Sequence, residues 1–193
     1  EPYAIRKAIK FRTQLHLQRN ESAILKTHEK ALYSLARKDN EARMILAGLL
    51  LLKAEEKEEK APSELFPNTL GINHNGNLDN YSAAIEQYHR SFKQLRANFL
   101  KVCQLPNKLC APARLKINYL ADKVTDLIKK IQPPAYFKKP EIFALTEVRQ
   151  AALKSIVRMA AKDYSIVKRL VSNDNTYSEW RDEVRGYKPI YNQ

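Results

Sequence analysis

DNEARMILAGLLLLKAEEKEEK, residues 39–60, is the stretch that decides the fold. From Met44 to Leu52 every position is apolar or small, so a helix here is hydrophobic all round and other helices must cover it. Asp39 is placed to cap its start, and Glu41 puts negative charge in the first turn, where the helix dipole favours it. The apolar run is about half of the ~20 residues that a membrane-spanning helix needs, and it ends in a charged Glu/Lys tail. The reading is an all-α protein: one helical domain over residues 1–193, a bundle of about six helices around this central apolar helix.

Working outward toward the N-terminus, Asn20 to about Arg37 reads as a helix with Ile24, Leu25, Leu32 and Leu35 on its apolar face. Residues 2–19 carry Arg6, Lys7, Lys10, Arg12 and Arg19 with no acid, while Ala4, Ala8, Phe11 and Leu15 recur at helical spacing. Such a basic amphipathic helix packs on the core, lies along phosphates, or rests on an anionic membrane. Residue 1 is Glu rather than Met, as in a processed chain, and no secretory or transmembrane segment is evident.

Toward the C-terminus, Ala61 to Leu78 holds Pro62, Pro67, Gly71 and Gly76 among several asparagines and reads as a connection tethered by Leu65, Phe66, Leu70 and Ile72. Asp79 or Asn80 then caps a helix to about Leu105, whose Tyr81, Ile85, Tyr88, Phe92, Leu95 and Phe99 form a buried face. A helix from Pro112 or Ala113 to about Gln132 buries Ile117, Leu120, Val124, Leu127, Ile128 and Ile131, with Lys116, Lys123 and Lys130 in a stripe beside them. After an extended PPAYFKKP connection, a long helix from about Glu141 lines up Leu145, Val148, Ala152, Ile156, Met159, Val167 and Leu170 on one side. Lys154, Arg158, Lys162 and Arg169 line the other. Asp163 falls on the apolar side, so it needs a basic or hydroxyl partner from a neighbouring helix or a bend that lets it reach water. A short last helix around Trp180 covers Tyr177 to Val184.

Chemistry is scarce in this chain. The four histidines share no metal-ligand spacing, and the two cysteines have no second pair with which to hold zinc. Four glycines leave little room for a phosphate-cradling loop. The chain reads as a non-enzyme with no metal and no cofactor. Cys103 and Cys110, in CQLPNKLC, flank a turn narrow enough for a disulfide in an oxidising compartment; in cytosol both are free thiols. The sequons at Asn20 and Asn80 also suit export, although about one is expected by chance. An intracellular location is favoured, with export as the alternative.

The functional signal is charge. The net charge of +13 points to an anionic partner, unless it serves only to keep the protein soluble. Lys101 to Ala160 holds twelve basic residues against four acids, a net +8 in under a third of the chain. The residues expected to touch nucleic acid are Lys116, Lys123, Lys129, Lys130, Tyr136, Phe137, Lys138, Lys139, Lys154 and Arg158: cations for phosphates, and two rings that either stack on bases or anchor the connection to the core. The function expected is a basic helical protein that binds RNA, or less readily DNA, through phosphates, as in a ribonucleoprotein subunit. The alternative is a helical adaptor or scaffold, exported in one version, that meets an acidic protein or membrane surface.

Overall fold

Apolar residues at helical spacing fold into helices that begin at capping side chains and stop where proline or a tight turn breaks the ladder. In the computed structural model, residues 22–64 and 76–192 are described. The chain runs through α1 (Ser22–Ala36), α2 (Asn40–Glu64), α3 (Leu78–Lys101), α4 (Cys110–Lys130) and α5 (Lys139–Asn173). A 3₁₀ turn (Asn175–Trp180), α6 (Arg181–Gly186) and a second 3₁₀ turn (Ile190–Asn192) complete it, with no strand among the described residues. The basic helix expected over residues 2–19 lies outside the described residues, as do 65–75 of the expected connection.

Asp39 caps α2 as the sequence predicts, its Oδ1 accepting from the N–H groups of Glu41 and Ala42 at 2.9 and 3.0 Å. No residue from Met44 to Leu52 is exposed, and α2 packs on α1 and α3. The helix continues to Glu64, a turn beyond its expected end. Pro62 sits in that final turn, where it has no N–H to give the helical ladder. In α3 the cap is Asn77 rather than Asp79 or Asn80: its Oδ1 accepts from Asn80 N–H at 3.0 Å, so the helix opens two residues early. The same helix closes at Lys101, short of Leu105. Val102, Cys103 and Gln104 each donate only three residues back, which tightens the chain out of the α ladder.

The α3–α4 turn is held twice. Cys103 and Cys110 form a disulfide, with Cα atoms 4.8 Å apart. Inside it the buried Asn107 donates to the carbonyls of Val102 and Leu105 at 2.6 and 2.7 Å and accepts from Leu109 N–H at 2.9 Å. α4 then starts at Cys110, two residues before Pro112, which is accommodated in the first turn. Glu141 accepts from Lys138 N–H at 2.8 Å and starts α5, a helix of 35 residues.

One apolar cluster takes side chains from α1 through α5, Leu32, Leu49, Phe92, Phe99, Leu120 and Ile156 among them. Among the described helices it is α3 that touches α2, α4 and α5, so it occupies the middle of the packing. α3 and α5 run parallel: His89 meets Ser155 at 2.9 Å, and seven residues on Arg96 Nε meets Asp163 Oδ2 at 2.7 Å. α4 runs antiparallel to α5, since Arg114 bonds Asp163 while Arg149 donates to Ile131 carbonyl at 3.1 Å. The partners expected for Asp163 are thus two arginines from two helices, around a carboxylate that is 0% exposed.

A second, smaller cluster of Leu115, Val167, Val171, Tyr177 and Val184 seats the C-terminal turns. Asp122 pins them, accepting from Tyr187 O–H at 2.6 Å and from Tyr191 N–H at 2.9 Å. Tyr191 O–H donates to Asn118 at 2.6 Å, and Tyr177 O–H donates to the carbonyl of Asn107 at 3.1 Å.

Two expectations follow. Asp163→Ala leaves two part-buried guanidinium groups facing one another and should lower the unfolding free energy by about 3–5 kcal/mol, read from a urea melt. Burial, followed by the bond to and charge of Asp122, raises the Tyr187 pKa; burial and the Asp122 charge also raise that of Tyr191. The folded state therefore keeps these protons above the unfolded value of 10.0. Their contribution is complete below that pH and is lost as pH rises through the folded values. Alkaline titration should release the C-terminal turns, and Tyr187→Phe should cost about 2 kcal/mol at neutral pH while flattening that alkaline loss.

Candidate anion-binding surface

Helical periodicity fixes what α5 shows to solvent. With Leu145, Ala152, Ile156, Ala160, Asp163 and Val167 turned inward, the opposite side carries Lys154, Arg158, Lys162 and Arg169. Ala161 and Ser165 lie between them, so little side-chain bulk rises from the backbone at those positions. From Val148 to Asn173 the one acid is Asp163, and it is buried against Arg96 and Arg114. The cations from Lys154 to Arg169 thus form a ribbon about 22 Å long, given the 1.5 Å rise per residue. Among the described residues no carboxylate pairs with any of the four.

Lys93 of α3 flanks the same seam, one turn on from His89. Burial, and then the Lys93 charge, lower the His89 pKa, so its ring is neutral at pH 7. The His89–Ser155 contact resembles a nucleophile beside a base, but it lies mid-helix on both sides. The backbone N–H groups around it are engaged in the helical ladders, so the backbone offers no oxyanion donor there. Among the described residues no group of three or more His, Cys, Asp or Glu side chains is placed to hold a metal ion.

The other expected contact residues divide. Lys116 and Lys123 face the acidic tail of α2: Lys116 Nζ lies 3.6 Å from Glu55, and both lysines gather with Glu55, Glu58 and Glu59 around one recess. Burial raises the Glu58 pKa, against the pull of the two lysines. These lysines therefore share the field of the α2 carboxylates, which competes with any phosphate for them. That proximity was out of reach of sequence, because the Glu/Lys tail of α2 reads equally well as a solvated helix end. Lys130 pairs with Asp126 at 2.6 Å on the surface, where such a pair is weak. Lys129, Lys138 and Lys139 are exposed, with no ion pair among the described residues.

The aromatic pair splits as well. Phe137 is 7% exposed and packs edge-on against Tyr81 at 5.3 Å, so it anchors the α4–α5 connection and has no face to offer a base. Tyr136 is 52% exposed, and its O–H donates to the carbonyl of Gly76 at 2.7 Å. The exposed ring that pattern reading passed over is Phe143, at 64%, beside the partly exposed Ile142. Its signal was present: Phe143 lies two residues before Leu145, off the buried line and on the side of Glu147 and Lys154.

These groups fall on two neighbouring surfaces. One is the ribbon along α5. The other is the end of the bundle where α4 stops and α5 begins, which carries Lys129, Lys130, Tyr136, Lys138, Lys139 and Phe143. Among the described residues no helix is long and apolar enough to cross a membrane. Comparison with protein-family models, with curated proteins and with solved structures returned no match.

Proposed function

We infer that this protein is a non-enzymatic helical binding module that engages the phosphate backbone of a nucleic acid along the outer face of α5, as a ribonucleoprotein subunit would. The observation that carries the reading is the ribbon of Lys154, Arg158, Lys162 and Arg169, free of described carboxylate partners over about 22 Å. A strand presents one phosphate per about 3.4 Å of helix axis, so such a ribbon reaches several phosphates at once, and the counterions released drive binding. RNA is preferred over DNA because its single-stranded loops leave backbone and bases open together.

A second reading, a helical adaptor for an acidic protein or an anionic membrane surface, is favoured by the Cys103–Cys110 disulfide, since such bonds persist in oxidising compartments. Intact-mass measurement of protein from its native source, without reductant, separates the two. A mass short by two hydrogens supports export and the adaptor; free thiols support the intracellular reading.

For the first reading, the triple variant Lys154→Glu, Arg158→Glu, Lys162→Glu should weaken RNA binding by about tenfold or more at low salt and lower the log–log salt slope by about 2 to 3. Reversing Lys116 and Lys123 should instead lower stability, by adding two carboxylates to the three of α2, and should leave the salt slope nearly unchanged. Equal salt slopes for wild type and the triple variant would overturn the assignment to α5.

A further inference from the structure

The N-terminal end of α5 combines groups that a phosphate-only contact does not need. Lys139, Phe143 and Glu147 are spaced four residues apart, so they stand one above another on the exposed side of the helix, about 6 Å of rise between neighbours. Phe143 is the most exposed large apolar side chain in the described structure. Glu147 is exposed too, with no cation paired to it among the described residues. Glu141, the other acid nearby, already accepts from Lys138 N–H. Lys138 and Lys139 beside them are solvent-facing cations.

We propose that this end of α5 is a nucleobase site, so that the partner is single-stranded: Phe143 stacks on an unpaired base, Glu147 accepts from that base's exocyclic amine, and Lys138 and Lys139 hold the adjoining phosphates. The proposal rests on the nucleic-acid reading above and narrows it. Charge decides among the candidate occupants. A duplex lying along α5 brings only phosphates to Glu147, which repel it, and its bases are stacked away from Phe143. An anionic bilayer would draw Glu147 down with Phe143, one turn away, against the surface charge. An unpaired base instead offers a π-face to the ring and N–H donors to the carboxylate. Cytosine and adenine carry an amine donor where uracil carries a carbonyl oxygen, so the site should favour the first two.

The test uses short oligocytidylate, oligoadenylate and oligouridylate, and the adenylate–uridylate duplex, in a salt series with the full chain. Wild type should bind cytidylate and adenylate more tightly than uridylate, and all three more tightly than the duplex. Phe143→Ala removes an exposed side chain, and its thermal melt should match wild type. It should lose about five- to a hundredfold on the single strands while duplex binding is unchanged. Glu147→Gln, whose amide donates as well as accepts, should erase the preference against uridylate. The ribbon variant should weaken single strands and duplex alike. If the ribbon variant weakens binding but Phe143→Ala does not, the nucleobase site is wrong and the phosphate reading stands. If wild type binds no nucleic acid, both fall; Phe143-dependent binding to phosphatidylserine vesicles would then assign this end to lipid.

Discussion

The arrangement of α3, α4 and α5 depends on one buried carboxylate. Asp163 lies fully inside, between Arg96 of α3 and Arg114 of α4. Taking one charge from water costs several kcal/mol, and the cost is offset only when partners from both sides arrive with good geometry. A slip of α5 by one turn against α3 or α4 would separate the groups and leave at least one charge buried alone. The triad therefore selects a register more than it adds stability. That register determines the surface, because with Asp163 held inward the helical repeat turns Lys154, Arg158, Lys162 and Arg169 to solvent. A variant with apolar residues at all three triad positions could be as stable and yet present the ribbon less uniformly.

α4 is fastened from both of its other directions. At its start, Asn107 satisfies the carbonyls of a tight turn and the disulfide closes the same turn covalently. Along its length, Asp122 and Asn118 receive the C-terminal tyrosines. Tyr177 links the two arrangements through the Asn107 carbonyl, so turn and C-terminal cap tighten together. Here the structure spends polar side chains where the apolar cluster is small, since the second core holds only six buried residues. The hydroxyls of Tyr177, Tyr187 and Tyr191 each find an acceptor here, since a buried group left unpaired costs more than a bond gains. Trp180 Nε1 alone among the buried side-chain polar atoms of this cluster has no partner among the described residues.

Much of this was legible in the sequence, and the failures have physical causes. The apolar run of α2, its Asp39 cap and the demand of Asp163 for a partner are local statements about periodicity and desolvation, and the structure agrees with them. Which arginines would answer Asp163 was not legible, because Arg96 and Arg114 lie 67 and 49 residues away. The cap of α3 was misplaced because Asn77, Asp79 and Asn80 are all competent caps, and the choice depends on where the preceding chain enters. Lys116 and Lys123 looked like free cations because their counter-charges sit on another helix. Phe137 and Tyr136 looked alike beside prolines; only the packing of Tyr81 against Phe137 separates a buried anchor from an exposed ring.

The net charge of +13 overstates what a partner can meet. Arg96 and Arg114 serve Asp163, Arg149 serves the end of α4, and Lys168 lies 5.0 Å over the Tyr164 ring. The cations left at the α5 face share a stiff backbone, and that stiffness matters more than their number. A lysine on a flexible loop loses chain entropy as well as rotamer entropy when it docks, whereas one on a packed helix loses the rotamers alone. Small residues between the cations let an anionic backbone approach without displacing side-chain bulk. An equal charge scattered over loops would draw the same polymer by long-range attraction and hold it less firmly, because screening erases the attraction within about 10 Å at 0.1 M salt.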